Sequence, residues 1–250
     1  MAQPKLSIII PAYNEGGTID KLMEKVFAVE LINDLQKQVI VVNDGSTDQT
    51  EEKIFLYKNS HPALDILYQK HQKNSGKGSC IQSGIKLAAG DFIIIQDADL
   101  EYDPADYNSL LPPIMENNAD VVFGSRFNTN KPHRVLFFWH TVGNKFLTFL
   151  SNMFSNLNLT DMECGYKLFR AEVLKSLKLK QKRFGFEPEV IAKVSKIREI
   201  RIYETGISYY GRTYAEGKKI KWPDGVKAIF CILKYNLFAK KRRKLQSGNP

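Results

Sequence analysis

The chain has 250 residues, 43% hydrophobic and 25% charged, with a formal net charge of +9. This composition excludes disordered, fibrous and disulfide-scaffold proteins, and the length is enough for one large domain with a buried core. The charge is confined to one end: residues 211–250 hold eleven Lys and Arg against two acids, whereas the first 210 residues balance at 25 bases and 25 acids.

From Met1 the chain runs directly into a strand-like segment, so no signal peptide is expected. Short β-branched runs at Leu6–Ile10, Val39–Val42, Ile66–Gln69, Phe92–Gln96 and Val121–Gly124 read as strands of a mostly parallel sheet. Helical patterns over 16–30, 48–59, 77–89 and 104–117 alternate with them, and Asp48 and Asp103-Pro104 are suited to helix starts. This alternation predicts an α/β fold, a mostly parallel sheet flanked by helices, with ligands at the carboxyl ends of the strands. After Arg126 the pattern changes. Residues 134–156 are rich in Phe and Leu, a strand pair is expected near 199–204 and 207–210, and the chain closes in the mixed apolar and basic stretch Trp222–Lys244. Cys80, Cys164 and Cys231 are too few and too scattered for a disulfide framework or a zinc site, so a reducing compartment is expected. The apolar stretches near 135–150 and 226–239 are interrupted by His140, Asn144, Lys145 and Lys234. Neither reaches the ~18 unbroken apolar residues of a spanning helix.

Three polar loops follow predicted strands. Pro11-Ala12-Tyr13-Asn14-Glu15-Gly16-Gly17 follows the first, and it is neither a dinucleotide GxGxxG nor a GxxxxGK[ST] phosphate loop. Asn43-Asp44-Gly45-Ser46-Thr47-Asp48 follows the second; it serves as a turn, or Asp44 bonds a base N–H or a ribose hydroxyl. The third, Asp97-Ala98-Asp99-Leu100-Glu101, follows Phe92–Gln96. Alternate residues of an extended chain point to one side, so Asp97, Asp99 and Glu101 are expected to converge. Like charges delivered together are costly without a cation, and hard oxygen ligands suit Mg²⁺ or Mn²⁺.

Together these loops resemble family 2 glycosyltransferases with the nucleotide-diphospho-sugar (GT-A) fold. The resemblance is nearest to dolichol-phosphate mannose synthases and bacterial polyprenyl-phosphate sugar transferases. It extends through Pro104, Gly124-Ser125-Arg126, Gly165-Tyr166-Lys167-Leu168-Phe169-Arg170, Phe186-Glu187 and Arg212-Thr213-Tyr214-Ala215-Glu216-Gly217-Lys218-Lys219, covering about residues 5–235. It implies a single GT-A catalytic domain over residues 1–210, with 127–210 on the acceptor side and 211–250 as a basic closing segment. It implies that Pro11, Tyr13 and Glu15 hold the nucleoside of a UDP- or GDP-hexose and that Asp44 binds base or ribose. Asp97, Ala98 and Asp99, with Glu101, would meet metal and diphosphate. Arg126 would contact acceptor phosphate, and Arg212 and Lys218 would close over phosphates. Where this chain has Glu101 the family often has Gln.

The implied reaction is metal-dependent, inverting transfer of a hexose to a polyprenyl phosphate at the cytoplasmic membrane face. A phosphate monoester is largely ionised at pH 7, with a second pKa near ~6, and attacks with little help from a base. A hydroxyl acceptor on a lipid or glycan is the alternative and would need one. The Gln-x-x-Arg-Trp signature of hydroxyl-using members is absent, and the spare carboxylates are Asp161, Glu163 and Glu187. Asp161 is a base, an orienting group or a helix cap. Lys77, in Gly76-Lys77-Gly78 at a helix start, touches a phosphate or is a solvated turn lysine. His71, His133 and His140 receive no role. The aromatic segment 134–156 is a core helix or an interfacial one; the interfacial reading, with the apolar run before Lys240-Lys241-Arg242-Arg243-Lys244, predicts peripheral contact with an anionic membrane. A nucleic acid is not the expected partner: no matching motif accompanies the charge, and converging carboxylates would repel a phosphate backbone.

Overall fold

The computed structural model describes residues 3–131, 133–135, 137–213 and 222–238. Its centre is a seven-stranded sheet of order β3-β2-β1-β4-β6-β5-β7. The first five strands are β1 (Lys5–Ala12), β2 (Gln36–Asn43), β3 (Ile66–Lys70), β4 (Phe92–Ile95) and β5 (Val121–Ser125), each within a few residues of its predicted run. In β1, Ile8, Ile9 and Ile10 are all fully buried, as a strand covered on both faces requires. β1 runs parallel to β2 in the register Lys5↔Gln36 to Ala12↔Asn43, and parallel to β4 on its other side. The loops after β1, β2 and β4 therefore leave the sheet side by side.

Helices α1 (Ile19–Ala28), α2 (Thr50–Ser60) and α4 (Tyr107–Met115) cover one face, contributing Leu22, Ile54 and Leu110 to a core with Ile8 and Ile10. Helices α3 (Lys77–Leu87), α6 (Ala171–Ser176) and α7 (Phe186–Val194) cover the other, where Ile81, Val173 and Val190 meet Ile9 and Ile40. Helices α5 (Phe138–Ser155) and α8 (Trp222–Phe238) pack together outside α7.

The second half departs from expectation. Strand β6 (Lys167–Arg170) lies within the glycine-led segment 165–170 and enters antiparallel between β4 and β5. Four residues give too little periodicity to announce a strand; pairing on both edges makes it one. Of the pair expected near 199–204 and 207–210, the first is β7 (Ile202–Gly206), parallel to β5. In the second, Tyr209 makes only isolated bridges to Tyr102 and His133.

Helix α5 packs against the core only along one side, through the partly buried Leu147, Leu150 and Phe154. Its buried residues are Thr148, Ser151 and Ser155. Phe138, Trp139 and Phe149 are 70%, 77% and 64% exposed. No helix among the described residues is long and apolar enough to cross a membrane.

Candidate active site

The first two polar loops are tied to each other. Asn14 N–H donates to Ser46 Oγ, Thr47 N–H to Asn14 Oδ1, Glu15 N–H to Thr50 Oγ1 and Gly16 N–H to Asp48 Oδ2. Asn14 adopts φ 52° and Gly45 φ 72°, the left-handed conformations that Asn and Gly tolerate best in a tight turn. The lattice fixes Pro11, Tyr13 and Glu15 at the end of β1 beside Asp44 at the end of β2, and Tyr13 is 37% exposed.

Asp44 is buried and accepts three hydrogen bonds: His71 Nδ1 at 2.8 Å and Ser75 N at 2.9 Å on Oδ1, and Gly76 N at 2.7 Å on Oδ2. His71 Nε2 meets Ser83 Oγ at 2.9 Å. The carboxylate thus links β2, the end of β3 and the first residues of α3. Asp44, His71 and Cys80 bring their ligand atoms within 4.8 Å of one another. Their chemistry is that of a hydrogen-bonded triad, because Asp44 already accepts from three N–H groups and burial, then the Asp44 charge, pushes the Cys80 thiol up. His71 was missed by sequence reasoning, although its place directly after β3 is the same signal that marked the other loops.

Asp97, Asp99 and Glu101 do converge, but not as an extended chain. Residues 97–101 turn, with Leu100 at φ 61°. Asp97 Oδ1 pairs with Lys77 Nζ at 2.7 Å. Asp99 Oδ2 pairs with Arg212 Nη2 at 2.8 Å. Glu101 Oε1 accepts from Arg212 N and Nε at 2.9 and 3.2 Å, and Oε2 from the Tyr209 hydroxyl at 2.9 Å. Burial, and the neighbouring Asp97 and Glu101 charges, push Asp99 up to about 7 against the pull of Arg212. Gly165 leaves room for Asp97: a Cβ there would overlap Asp97 Oδ2.

Lys77 is the first residue of α3 and is not a solvated turn lysine. Its Nζ sits between Asp97 and Glu187 Oε1, the latter at 3.0 Å. Burial opposes its charge, but the two carboxylates outweigh burial and hold it protonated. Gly76 before it has φ 96°, and a Cβ at Gly76 would overlap the Lys182 carbonyl, so the segment 181–183 closes directly over this helix start.

Arg126 follows β5 and forks both oxygens of Asp161, Nε to Oδ2 at 2.6 Å and Nη2 to Oδ1 at 2.7 Å. Asp161 Oδ2 also accepts from Arg126 N at 3.0 Å, and Asp161 is 1% exposed. Such bidentate pairs fix a guanidinium in orientation as well as charge. The guanidinium lies 5.1 Å from the centroid of the Tyr209 ring, whose hydroxyl holds Glu101. Between the two halves stand Glu163 and Glu187. Burial, then repulsion from Glu187, pushes Glu163 up to about 7.

The model for "Glycosyl transferase family 2" matches residues 7–178, which includes all three loops, Lys77, Arg126 and the Asp161–Arg170 segment. The chain belongs to glycosyl transferase family 2. A dolichyl-phosphate beta-glucosyltransferase of Trichomonas vaginalis is 29% identical over 94% of this chain and 74% of its own length. A dodecaprenyl-phosphate galacturonate synthase of Rhizobium johnstonii is 28% identical over 86% of this chain, which spans only 61% of that protein. Glucosyl-3-phosphoglycerate synthase of Mycobacterium tuberculosis, solved with Mn²⁺, UDP and glucosyl-3-phosphoglycerate, superposes with a TM-score of 0.69 at 17% identity, covering 93% of this chain and 80% of that one. That likeness shows the GT-A fold. The protein is therefore a glycosyltransferase.

In this glycosyltransferase the structure brings together Asp97, Asp99, Glu101, Lys77 and Arg212, and sets Arg126 with Asp161 beside them through Tyr209. Ala98 is buried within the same turn. Lys218, and with it Lys219 and Lys240 to Lys244, lies outside the described residues.

Proposed function

We propose that this glycosyltransferase moves a hexose from a nucleoside-diphosphate sugar, with inversion, onto a polyprenyl phosphate at the cytoplasmic face of a membrane. The observation that carries this reading is the Arg126–Asp161 fork. It presents a fixed guanidinium beside the Asp97–Asp99 cluster, while the carboxylate best placed to act as a base has both oxygens occupied. A fixed cation whose own carboxylate partner is fully engaged suits an acceptor that is itself an ionised phosphate. The named activities of the relatives, transfer to dolichyl and dodecaprenyl phosphates, support the same acceptor class.

In this reading Pro11, Tyr13 and Glu15 hold the nucleoside. Asp44, with three of about four acceptor positions used, holds base or ribose through the remaining one. Asp97 and Asp99 would hold Mg²⁺ or Mn²⁺; the raised Asp99, pushed up by burial and by the Asp97 and Glu101 charges, fits a site that a small divalent cation would relieve. Glu101, with both oxygens engaged, positions Arg212 instead. The metal would supply Lewis-acid stabilisation to the departing diphosphate. Lys77, Arg212 and Lys218 take up the charge that grows on the leaving oxygens as the C1–O bond breaks. Arg126 orients the acceptor phosphate, whose oxygen forms the new bond to C1 from the opposite side. Asp161 acts by positioning Arg126.

The catalytic unit is taken as residues 1–210, with 211–250 as the closing segment. Contact with an anionic leaflet is assigned to the exposed aromatic face of α5, to α8, where Phe230 and Phe238 are 65% and 82% exposed, and to Lys240–Lys244.

The hydroxyl-acceptor reading is kept alive by one observation. Glu163, at about 7, has the acidity of a general base working at neutral pH. A panel of UDP- and GDP-sugars with Mn²⁺, offered a polyprenyl phosphate and a polyprenol, separates the two. Labelled glycolipid from the phosphate alone is expected. Transfer to the polyprenol, with none to the phosphate, would overturn the proposed acceptor.

A further inference from the structure

We propose that Gln96 is a positioning residue for the turn 97–101, held in orientation by the hydroxyls of Tyr107 and Tyr166. The inference rests on the reading above that Asp97 and Asp99 hold a divalent cation. Gln96 follows β4 directly and is the polar end of the apolar run Phe92–Ile95. It is fully buried, and its backbone N–H donates to the Ile9 carbonyl at 2.9 Å, which continues the pairing of β4 with β1. Its side chain is bonded at both ends. Nε2 donates to the Asp97 carbonyl at 2.9 Å, and Oε1 meets the Tyr107 hydroxyl at 2.5 Å and the Tyr166 hydroxyl at 2.7 Å. A carbonyl only accepts, so the amide nitrogen must be the end that faces Asp97. That leaves Oε1 for the tyrosines, and both of them must donate. Burial pushes both phenols well above their usual range, so each keeps its proton.

This arrangement acts on the first residue of the turn. The chain leaves the sheet at Asp97 and turns through Leu100 at φ 61°, and the Gln96 amide ties down the Asp97 carbonyl at the point of departure. The Asp97 carboxylate is bounded separately. A Cβ at Gly165 would overlap Asp97 Oδ2, and the Gly165 N–H is held by the Tyr102 hydroxyl at 2.9 Å. The Tyr102 ring centroid lies 4.9 Å from that of Tyr166 and 5.5 Å from that of Tyr209, whose hydroxyl holds Glu101. One cluster of tyrosines therefore supports Asp97 through Gln96 and Gly165, and Glu101 directly. The two hydroxyls on Gln96 come from the first residue of α4 and from the residue before β6, so elements remote in the chain set the amide. Remove them and Oε1 is left buried without a donor. The side chain then gains by leaving this position for another donor, and the Asp97 carbonyl loses its tie. Groups that orient metal ligands are typically worth roughly 10- to 100-fold in metal affinity.

The test is Mn²⁺ binding to the full chain, read by electron paramagnetic resonance with saturating UDP and, in parallel, GDP. Tyr107→Phe/Tyr166→Phe removes two hydroxyls from side chains that are themselves fully buried. It is expected to raise the Kd for Mn²⁺ by about fivefold or more, and Gln96→Met by at least as much. Nucleotide affinity measured in EDTA should stay unchanged in both. Ile94→Val trims the buried core of the same strand and is the stability control: it lowers Tm and should leave the Mn²⁺ Kd at its wild-type value. If the double variant fails to fold, each single tyrosine variant is expected to raise the Kd by about twofold or more. A fall in Tm with wild-type Mn²⁺ affinity in the tyrosine and Gln96 variants would overturn the proposal and leave Gln96 a purely structural residue. So would an equal rise of Kd in Ile94→Val, or a parallel loss of nucleotide affinity in EDTA. If the wild type binds Mn²⁺ and the variants bind it equally well, the positioning role alone fails; if the wild type binds no Mn²⁺ with either nucleotide, the metal reading fails and this role with it.

Discussion

Arg126 and Asp161 are mutually dependent, because Asp161 is buried, Arg126 is largely covered, and each satisfies the other. Asp161→Ala would leave an uncompensated guanidinium, so we expect a loss of roughly 3–5 kcal/mol in stability by chemical denaturation. In whatever folded enzyme remains, KM for the phosphate acceptor should rise while donor affinity holds; a collapse of kcat at unchanged acceptor KM would instead make Asp161 a base. Glu163 gives a pH signature. Its carboxyl is raised from 4.5 to about 7 in the folded protein, so the folded state retains a proton that the unfolded state releases. The favourable contribution is complete below about 4.5 and is lost as pH rises through about 7. Glu163→Gln should therefore gain Tm relative to wild type at pH 8 compared with pH 5.5, and a difference independent of pH would refute the assignment. Residue types such as Asp97-x-Asp99 were legible in the sequence. The partners were not: Lys77, Asp97 and Glu187 meet through an ion-pair bridge between residues far apart in the chain.

At the scale of elements, α5 carries the clearest functional signal. It turns Thr148, Ser151 and Ser155 inward with Phe154 against the core, and Phe138, Trp139, Phe146 and Phe149 outward. Composition alone left core helix and interfacial helix both open, since both are rich in Phe and Leu. The fold gives it both: Leu147, Leu150 and Phe154 pack against the core, while Phe138, Trp139, Phe146 and Phe149 are exposed, a surface of the kind that meets a partner or a membrane. Replacing Trp139, Phe146 and Phe149 together by Ser should abolish co-sedimentation with anionic liposomes while leaving Tm within a few degrees, since these positions are exposed. Retained sedimentation would remove α5 from the membrane contact, and a large fall in Tm would return it to the core. Strand β6 shows the opposite limit: its pattern was silent because its structure comes from two neighbours rather than from its own run.

For the whole molecule, the region matched by the family model ends at 178, before α7, β7 and α8. Those elements are integral to the fold. β7 pairs along the length of β5, and α7 places Phe186, Val190, Ile191 and Val194 in the core on the α3 face. A chain cut after residue 178 would expose that core and a long edge of β5, the features that promote aggregation. It should give no cooperative thermal transition, whereas a chain ending at 238 should unfold cooperatively near the wild-type Tm. Cooperative unfolding of the 1–178 chain would show that the sheet stands without β7.

The sequence by itself determined the parallel half of the sheet, the three polar loops at the strand ends and the convergence of Asp97 and Asp99. Each of these is encoded locally, in runs of β-branched residues and in polar turns directly after them. Tertiary structure alone decided which charges are spent on one another. It set Lys77 between Asp97 and Glu187, engaged both oxygens of Glu101 and of Asp161, and left single oxygens of Glu163 and Glu187 unbonded. The reason is physical: a carboxylate's role depends on what lies within hydrogen-bond reach, and those neighbours come from strands and helices that only the folded sheet brings together. The +9 charge is the same case in miniature, since Arg212, one of its bases, is bound to the Asp99–Glu101 cluster and belongs to the site.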